Sequence, residues 1–451
     1  MLFFSAIGDR IRLLRNISFH WQRRPSNTNG PAVVFFPGSS TTLNCGLAGL
    51  ITVYGSKPPA EIKDLKHLFD LADKMTSRPL SACASDAATF NACYMDGDGT
   101  VERVFQLTRD LKRLHHFIRL YAQPELQAQL KDLYGKLNEF MNQEVMELQT
   151  QMGHLKTEMV EKTDQRIEKL KDIVWCTHTE VIGNIAKVKD LMVSQGAAPT
   201  TDTIKIYCNL NTVLNSIDRL EVRGRDSAGI SLLFILEKSV YEEFKKRLEQ
   251  NGLTDQFAQR SEHSILGNKC ISVQQSNGSD EVGLTLTYKV AAEIGSLGDN
   301  VGSLREDIAG DLVLRDLTQC PHRYHTVSDH TRWASVGAIT IANCHPVDNG
   351  TIASRDNLKG IIHACLNGDI DNYIALKNEW EEDGELISEE ITTDTKIIPL
   401  QVEKYLRQGH TIEEAFRLAV NDFEGSHAIA MHTNLAPGKL FLAQRGSGQA
   451  V

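Results

Sequence analysis

The chain lacks an apolar run long enough to cross a bilayer. Its longest strand-like run, ISLLFIL at 230–236, falls well short of the ~18–20 residues a spanning helix needs. It also lacks surplus positive charge. A formal net charge of −10 argues against nucleic acid as a general partner, because phosphate backbones select basic surfaces. None of the nine cysteines forms a CxxC pair and their number is odd, which argues against a zinc ribbon and against a disulfide framework. The expectation is a reducing, cytoplasmic setting with one or more special thiols, and no membrane partner. No repeat of ~20–50 residues runs through the chain. What is present is an ordinary globular composition, 41% hydrophobic and 24% charged, in 451 residues that suffice for two or three units.

The first 44 residues differ from the rest. They hold Arg10, Arg12, Arg15, Arg23 and Arg24, a single acid at Asp9, and no lysine. The turn-rich stretch RRPSNTNGP at 23–31 reads as a linker. Residues 1–44 are therefore expected to be a removable leader or propeptide, or else a disordered tail. A short buried strand follows at 45–58. From 59 to 200 the texture is helical: Leu126, Leu130, Leu133, Leu137 and Phe140, then Val145, Leu148, Met152, Leu155 and Met159, recur at three- and four-residue steps. That stripe predicts a helical hairpin or bundle, broken near Pro124, with coiled-coil character through which the chain could form a homo-oligomer. From 201 to 451 the pattern is mixed. Strands are expected at ISLLFILE, CISVQQ, VGLTLTYKV, GAITIANC, KGIIHACL, SHAIAMHT and KLFLAQ, with helices such as NYIALKNEWEE, IPLQVEKYLRQG and TIEEAFRLAV between them. In the last of these, Thr411 and Glu414 form a capping box.

YMDGDGTVERVF at 94–105 looks like part of a calcium loop. Aligning Gly99 to the turn glycine of an EF-hand puts Tyr94 and Phe105 where acidic ligands belong. An Asp/Gly-rich turn leading into a helix is the better reading.

Seven short segments carry the chemistry, in order: CGLAGLI at 45–51, RLEVRGRDSAGIS at 219–231, HTRWASVG at 330–337, NCHP at 343–346, LNGDIDNY at 366–373, TTDTKII at 392–398 and AQRGSGQAV at 443–451. Together they resemble the class II glutamine amidotransferase domain, most closely the glutaminase half of glutamine–fructose-6-phosphate aminotransferase. The resemblance covers about 45–54 and 205–451 and leaves the helical segment as a large insertion. It implies an α+β fold, a four-layer α/β/β/α sandwich of two antiparallel sheets of the N-terminal-nucleophile type.

That chemistry needs these residue types. Hydrolysing a side-chain amide requires a nucleophile, a base, donors for an oxyanion, and a grip on both α-groups. A free cysteine thiol, pKa ~8.5, is mostly protonated at neutral pH, whereas an α-amine at roughly 7.7–8.0 suits a general base. A cysteine at the N-terminus supplies both. The resemblance makes Cys45 the nucleophile and assigns the oxyanion to the Asn367 amide and the Gly368 N–H. Arg332, a bidentate cation, would hold the α-carboxylate of L-glutamine, and Asp394 its α-ammonium. Trp333 and Ser335 would line the substrate site. Arg223 would support it, with Asp226 more structural. No cofactor and no metal are called for.

Departures are local. Ser335, Val336 and Gly337 stand where the family has Thr-His-Gly. Leu366 replaces its histidine before Asn-Gly, with His363 three residues earlier. Val222 and Arg225 replace two tyrosines. The expected function is release of ammonia from L-glutamine for amination of fructose 6-phosphate by sugar-isomerase domains. The alternatives are a different acceptor, as in amidophosphoribosyltransferase or glutamate synthase, and a non-catalytic assembly module. HTRW and RDSAG favour the sugar branch. Cys45 follows Asn44 in peptide linkage, and no methionine lies between Met1 and Met75, so methionine removal alone cannot free it. Cleavage between Asn44 and Cys45 is expected.

Overall fold

The computed structural model describes the backbone at 2–7, 10–11, 32–36 and 46–53. From residue 65 onward it describes all but 194–197, 263–265, 276–279, 292–295, 353–357 and 447–451. Side chains are described at 47–50 and from 65 on, except that of Arg223. The chain divides into two compact units, Ser56–Asp190 and the combination of Met1–Gly55 with Leu191–Val451.

The first unit is helical throughout its described part. It runs α1 (Leu65–Thr76), α2 (Leu80–Cys83), α3 (Phe90–Cys93), α4 (Gly97–Asp110), α5 (Leu114–Ala122), α6 (Pro124–Gln151), α7 (Thr157–Trp175), a π-helical turn at Cys176–Ile182, and α8 (Gly183–Leu191). Each long helix buries one stripe: Leu68, Ala72 and Met75 on α1, Val104 and Leu107 on α4, Leu130 and Leu137 on α6, Leu170 and Ile173 on α7. Proline opens α6 at its first turn, where a missing N–H costs nothing. The expected single break near Pro124 is corrected. The chain also leaves the helix at 111–113 and 152–156, and Met152, placed on the stripe by spacing, is 51% exposed in the second of these turns.

Buried Arg166 on α7 fastens the turn before α4. Its guanidinium donates to the Asn91 carbonyl at 2.7 Å, to the Tyr94 carbonyl, and to Asp98 at 2.9 Å. Asp96 accepts from Thr100 and Asp98 also from Lys162, so the acidic side chains of this stretch serve a turn and its neighbours. The expectation of a reducing setting without a disulfide framework meets one exception. Cys83 and Cys93 are disulfide-bonded, their Cα atoms 5.7 Å apart across the turn between α2 and α3. Whether two cysteines pair depends on that proximity, which cysteine parity does not report. Cys176, Cys208, Cys270, Cys320, Cys344 and Cys365 are free and buried. Among the described residues no helix is long and apolar enough to cross a membrane.

The second unit holds two antiparallel sheets. The strands are β1 (Leu2–Ile7), β2 (Arg10–Ile11), β3 (Ala32–Phe36), β4 (Gly46–Val53), β5 (Ser227–Glu237), β6 (Cys270–Gln275), β7 (Glu281–Ala291), β8 (Tyr324–Arg332), β9 (Val347–Asp348), β10 (Ile362–Gly368), β11 (His427–Thr433) and β12 (Lys439–Arg445). One sheet is ordered β2-β1-β12-β11-β10-β9, the other β3-β4-β8-β5-β7-β6. The helices are α9 (Thr201–Leu220), α10 (Lys238–Gln250), α11 (Thr254–Glu262), α12 (Asp299–Ala309), α13 (Leu312–Thr318), α14 (Tyr373–Glu382), α15 (Ile397–Arg407) and α16 (Ile412–Asp422). Residues 1–44, expected to be a leader or a loose tail, contribute β1 against β12 and β3 against β4. The apolar, aromatic-rich runs LFFSAI and AVVFF suit strands.

Strand period explains the layering. On β10, β11 and β12, the residues Ile362, Ala364, Leu366, Ile429, Met431, Phe441 and Ala443 pack against α14, α15 and α16. Their alternates Cys365, Ala428, Ala430, Leu440 and Leu442 meet Leu47 of β4 on the other sheet. Helices α9 and α12 cover β4, β8, β5 and β7. Beside the apolar contact the facing sheets share a polar seam. Ser231 Oγ lies 2.8 Å from His363 Nδ1 and 3.3 Å from His432 Nε2, and Ser328 Oγ lies 3.0 Å from His432 Nδ1.

Burial holds these imidazoles neutral. His363 is pushed down to about 4 and His330 to about 3, and His325, His345 and His432 lie well below the usual range. An imidazole whose folded pKa is depressed gives stability that is complete above its unfolded value near ~6.5 and is lost as pH falls toward the folded value. Asp394, lifted by burial to about 6, and Asp329, raised well above its ordinary range, act in the opposite sense as pH falls. With His115, His322 and His427 also depressed and Glu144 and Glu221 also raised, eight imidazoles outweigh four carboxyls, so the thermal midpoint should drop between pH 7 and pH 5. A flat or rising midpoint in a calorimetric pH series would contradict this.

Candidate active site

The second sheet brings three strand ends together. Gly46, which opens β4, pairs with Thr331, and Arg332, which closes β8, pairs with Ser227 at the start of β5. The end of β10 joins them, because Ser335 Oγ, just past β8, donates to Asp369 Oδ1, just past β10, at 2.6 Å. Cys45 lies outside the described residues, and so does the Arg223 side chain. The chain neighbour of Cys45, Gly46, is fixed in register one residue from Arg332. The backbone of Arg223 forms a single helical turn at Glu221–Arg223.

Three loops are laced around this end. Asn343 Oδ1 accepts from Thr392 N at 2.7 Å and Thr393 N at 2.9 Å, and Ala338 N donates to Thr392 Oγ1 at 3.0 Å. Buried Lys396 donates to the carbonyls of Asp348 at 2.7 Å and Gly350 at 2.6 Å and to Asp348 Oδ1 at 3.0 Å. Asp226 clamps Trp333 from both sides: its N–H donates to Arg332 O at 3.1 Å, and its Oδ2 accepts from Ala334 N at 2.7 Å. Gly224 is needed for close approach here, since a Cβ would come within 2.7 Å of the Thr331 carbonyl oxygen. GAITIANC, expected as a strand, is instead this loop, with one helical turn at Ile341–Asn343. Its Asn343 amide serves the 392–393 backbone, and Gly337 turns at φ +88°, so the segment cannot run extended.

Arg332 is 2% exposed. Its Nη1 donates to Ala338 O at 3.0 Å and its Nη2 to Gly337 O at 3.2 Å and to Val336 O, so the guanidinium shapes the loop that follows it. Trp333, at 37% exposure, sits at the rim. Asn367 is buried on the sheet-facing side of β10, in phase with His363 and Cys365. Gly368 pairs with His427 at φ +121°, and a Cβ there would lie 2.1 Å from the Ser426 carbonyl oxygen. Asp394 Oδ2 accepts the Ile370 N–H at 2.9 Å, which ties the 394 loop to the end of β10. Burial and the neighbouring Asp369 raise the Asp394 carboxyl to about 6, against the pull of Arg332. Arg332, Asn367, Gly368, Ser335 and Asp394 are thus drawn to one end of the sheets. His363 is not among them. It belongs to the seam with Ser231 and His432.

Three residues inside the quoted segments had no assigned role. His330 and His345 place their rings 4.4 Å apart, and His345 Nε2 lies 2.7 Å from Thr395 Oγ1, which links β8 to the 394 loop. Asp369 is the third. The motif strings contained all three, but only the fold shows what each of them touches.

No family model matches the chain. The glutamine–fructose-6-phosphate aminotransferase (isomerizing) of Methanothermobacter thermautotrophicus is 35% identical over 118 residues, 26% of this chain and 18% of that protein. The enzyme of the same name from Gluconobacter oxydans is 38% identical over 122 residues, 27% of this chain and 18% of its own length. The chain resembles these aminotransferases. The likeness spans about a fifth of the length of each. Among solved structures, the glutamine phosphoribosylpyrophosphate amidotransferase from B. subtilis aligns over 46% of this chain and 35% of its own, at 14% identity and a TM-score of 0.24.

A side chain at 368 cannot be accommodated without displacing the 426–427 backbone. Gly368→Ala should therefore cost at least about 2 kcal/mol in a urea titration. A wild-type unfolding midpoint would show that the strand end tolerates a Cβ.

Proposed function

We propose that the chain is a glutamine amidotransferase domain that releases ammonia from L-glutamine through Cys45. One observation carries this. Arg332, Asn367, Gly368 and Asp394 are gathered beside the start of the strand that Cys45 precedes, in a chain similar to the aminotransferases over 118 residues. The helix–sheet–sheet–helix packing supports the reading as an N-terminal-nucleophile α/β/β/α sandwich.

The thiolate of Cys45 attacks the side-chain amide carbon of glutamine. The freed α-amine of Cys45 takes the thiol proton and returns it to the departing nitrogen, which leaves as ammonia. Water then cleaves the thioester and glutamate departs. The charge on the tetrahedral oxygen falls to the Asn367 amide and the Gly368 N–H. Arg332 holds the α-carboxylate and Asp394 the α-ammonium, with Trp333, Ser335 and Arg223 around them. An amide nitrogen is no base, so activity requires the Asn44–Cys45 bond to be cut. By the same resemblance, the acceptor is fructose 6-phosphate on sugar-isomerase domains. The helical unit at 56–190, lying between β4 and α9 in sequence, is a candidate oligomerisation element.

The intact mass of the active protein should correspond to a chain beginning at Cys45, and Cys45→Ala should reduce ammonia release by at least about 1000-fold. Glutaminase activity from a chain still beginning at Met1, or unchanged in Cys45→Ala, would overturn the proposal. Asp394 faces Arg332 and Asp369 and is ionised above about 6, so it attracts the α-ammonium only above that pH. KM for glutamine should rise as pH falls below about 6, which initial-rate kinetics would reveal, and Asp394→Asn should abolish that dependence.

A further inference from the structure

Asp369 and Asp394 lie one backbone hydrogen bond apart, because Asp394 Oδ2 accepts the N–H of Ile370, the residue after Asp369. Asp369 is held on both sides. Its N–H donates to Ser426 O at 3.0 Å, and its Oδ1 accepts from Ser335 Oγ at 2.6 Å. Among the described residues no donor reaches its Oδ2. The nearby cation, Arg332, already donates to the carbonyls of Val336, Gly337 and Ala338. Two carboxylates therefore share a site in which one guanidinium is partly engaged. After burial, repulsion from Asp369 is one cause of the raised Asp394 pKa. A bound ammonium group relieves it.

We propose that Asp369 is a second carboxylate of the α-ammonium subsite and makes the site select for a free α-amino group on its substrate. This rests on the glutaminase reading. Ser335 orients the residue by occupying Oδ1, which leaves Oδ2 for the cation. Asp394, buried and tied to β10, supplies the fixed half of the subsite, and half-buried Asp369 supplies the half that faces an entering ligand.

The test compares L-glutamine with 4-carbamoylbutyrate, the same amide without its α-amino group, on the processed protein. Asp369→Asn should raise KM for L-glutamine about tenfold and leave kcat nearly unchanged. It should leave KM for 4-carbamoylbutyrate unaltered, so discrimination falls by the same factor. Asp369→Glu should restore most of it. A merely structural role would raise both KM values together or lower kcat for both. Binding of L-glutamate against glutarate, followed by thermal shift, gives the same comparison without catalysis. Equal discrimination by wild type and Asp369→Asn in either assay overturns the inference and leaves the glutaminase reading intact. A processed wild-type protein that neither hydrolyses L-glutamine nor binds L-glutamate removes that reading and this inference with it.

Discussion

β4 pairs with β8 in unbroken antiparallel register, from Gly46 opposite Thr331 to Val53 opposite Tyr324, and the site depends on that register. A slip of one residue would exchange the two faces of the strand. Leu47 would leave the contact with Cys365 and Leu440, and Gly46 would move relative to Arg332. The register is doubly specified. β8 is held on its other side by β5, and the facing sheet fits only one set of side chains between the layers. The proposed nucleophile is the chain neighbour of this strand, and catalysis by such a group requires fixed geometry.

Polar groups are buried in the interior between and beside the two sheets. The Ser–His seam, the Lys396–Asp348 pair and the adjoining rings of His330 and His345 bury groups that lose their water on folding. Each hydrogen bond in the seam largely offsets that desolvation, and together they restrict how the two sheets can slide. Electrostatics at the strand ends follows the same logic. Arg332 is partly engaged by its own loop, so among the described residues the charge of Asp394 is only partly answered.

Much of the second unit was legible in sequence because its strands are apolar and its helices amphipathic. CISVQQ was read with the boundaries of β6, and TIEEAFRLAV as the start of α16, where Thr411 accepts the Glu414 N–H. β8 was not legible as a strand. YHTVSDHTR contains Val327 as its one aliphatic residue, and its buried positions are filled by His325, Ser328, Asp329 and His330. Hydrophobic periodicity cannot register a strand whose interior partners are hydrogen bonds. GAITIANC failed in the opposite direction: its apolar letters suggested a strand, but Gly337 and the Asn343 side chain make it a loop.

The sequence by itself determined which residue types are available for amide hydrolysis, their order along the chain, and the division between a helical segment and a mixed one. Local composition carries that information, because helix and strand periods and short motifs are read within a few residues. Only the tertiary structure decided that Cys83 meets Cys93, that residues 2–7 and 32–36 become strands of the two sheets, and that Asp369 stands beside Asp394 and Ser335. Each of these is a contact between residues distant in sequence or across a turn. Such contacts are fixed by the register of paired strands and the closure of loops, and no window of neighbouring letters contains them.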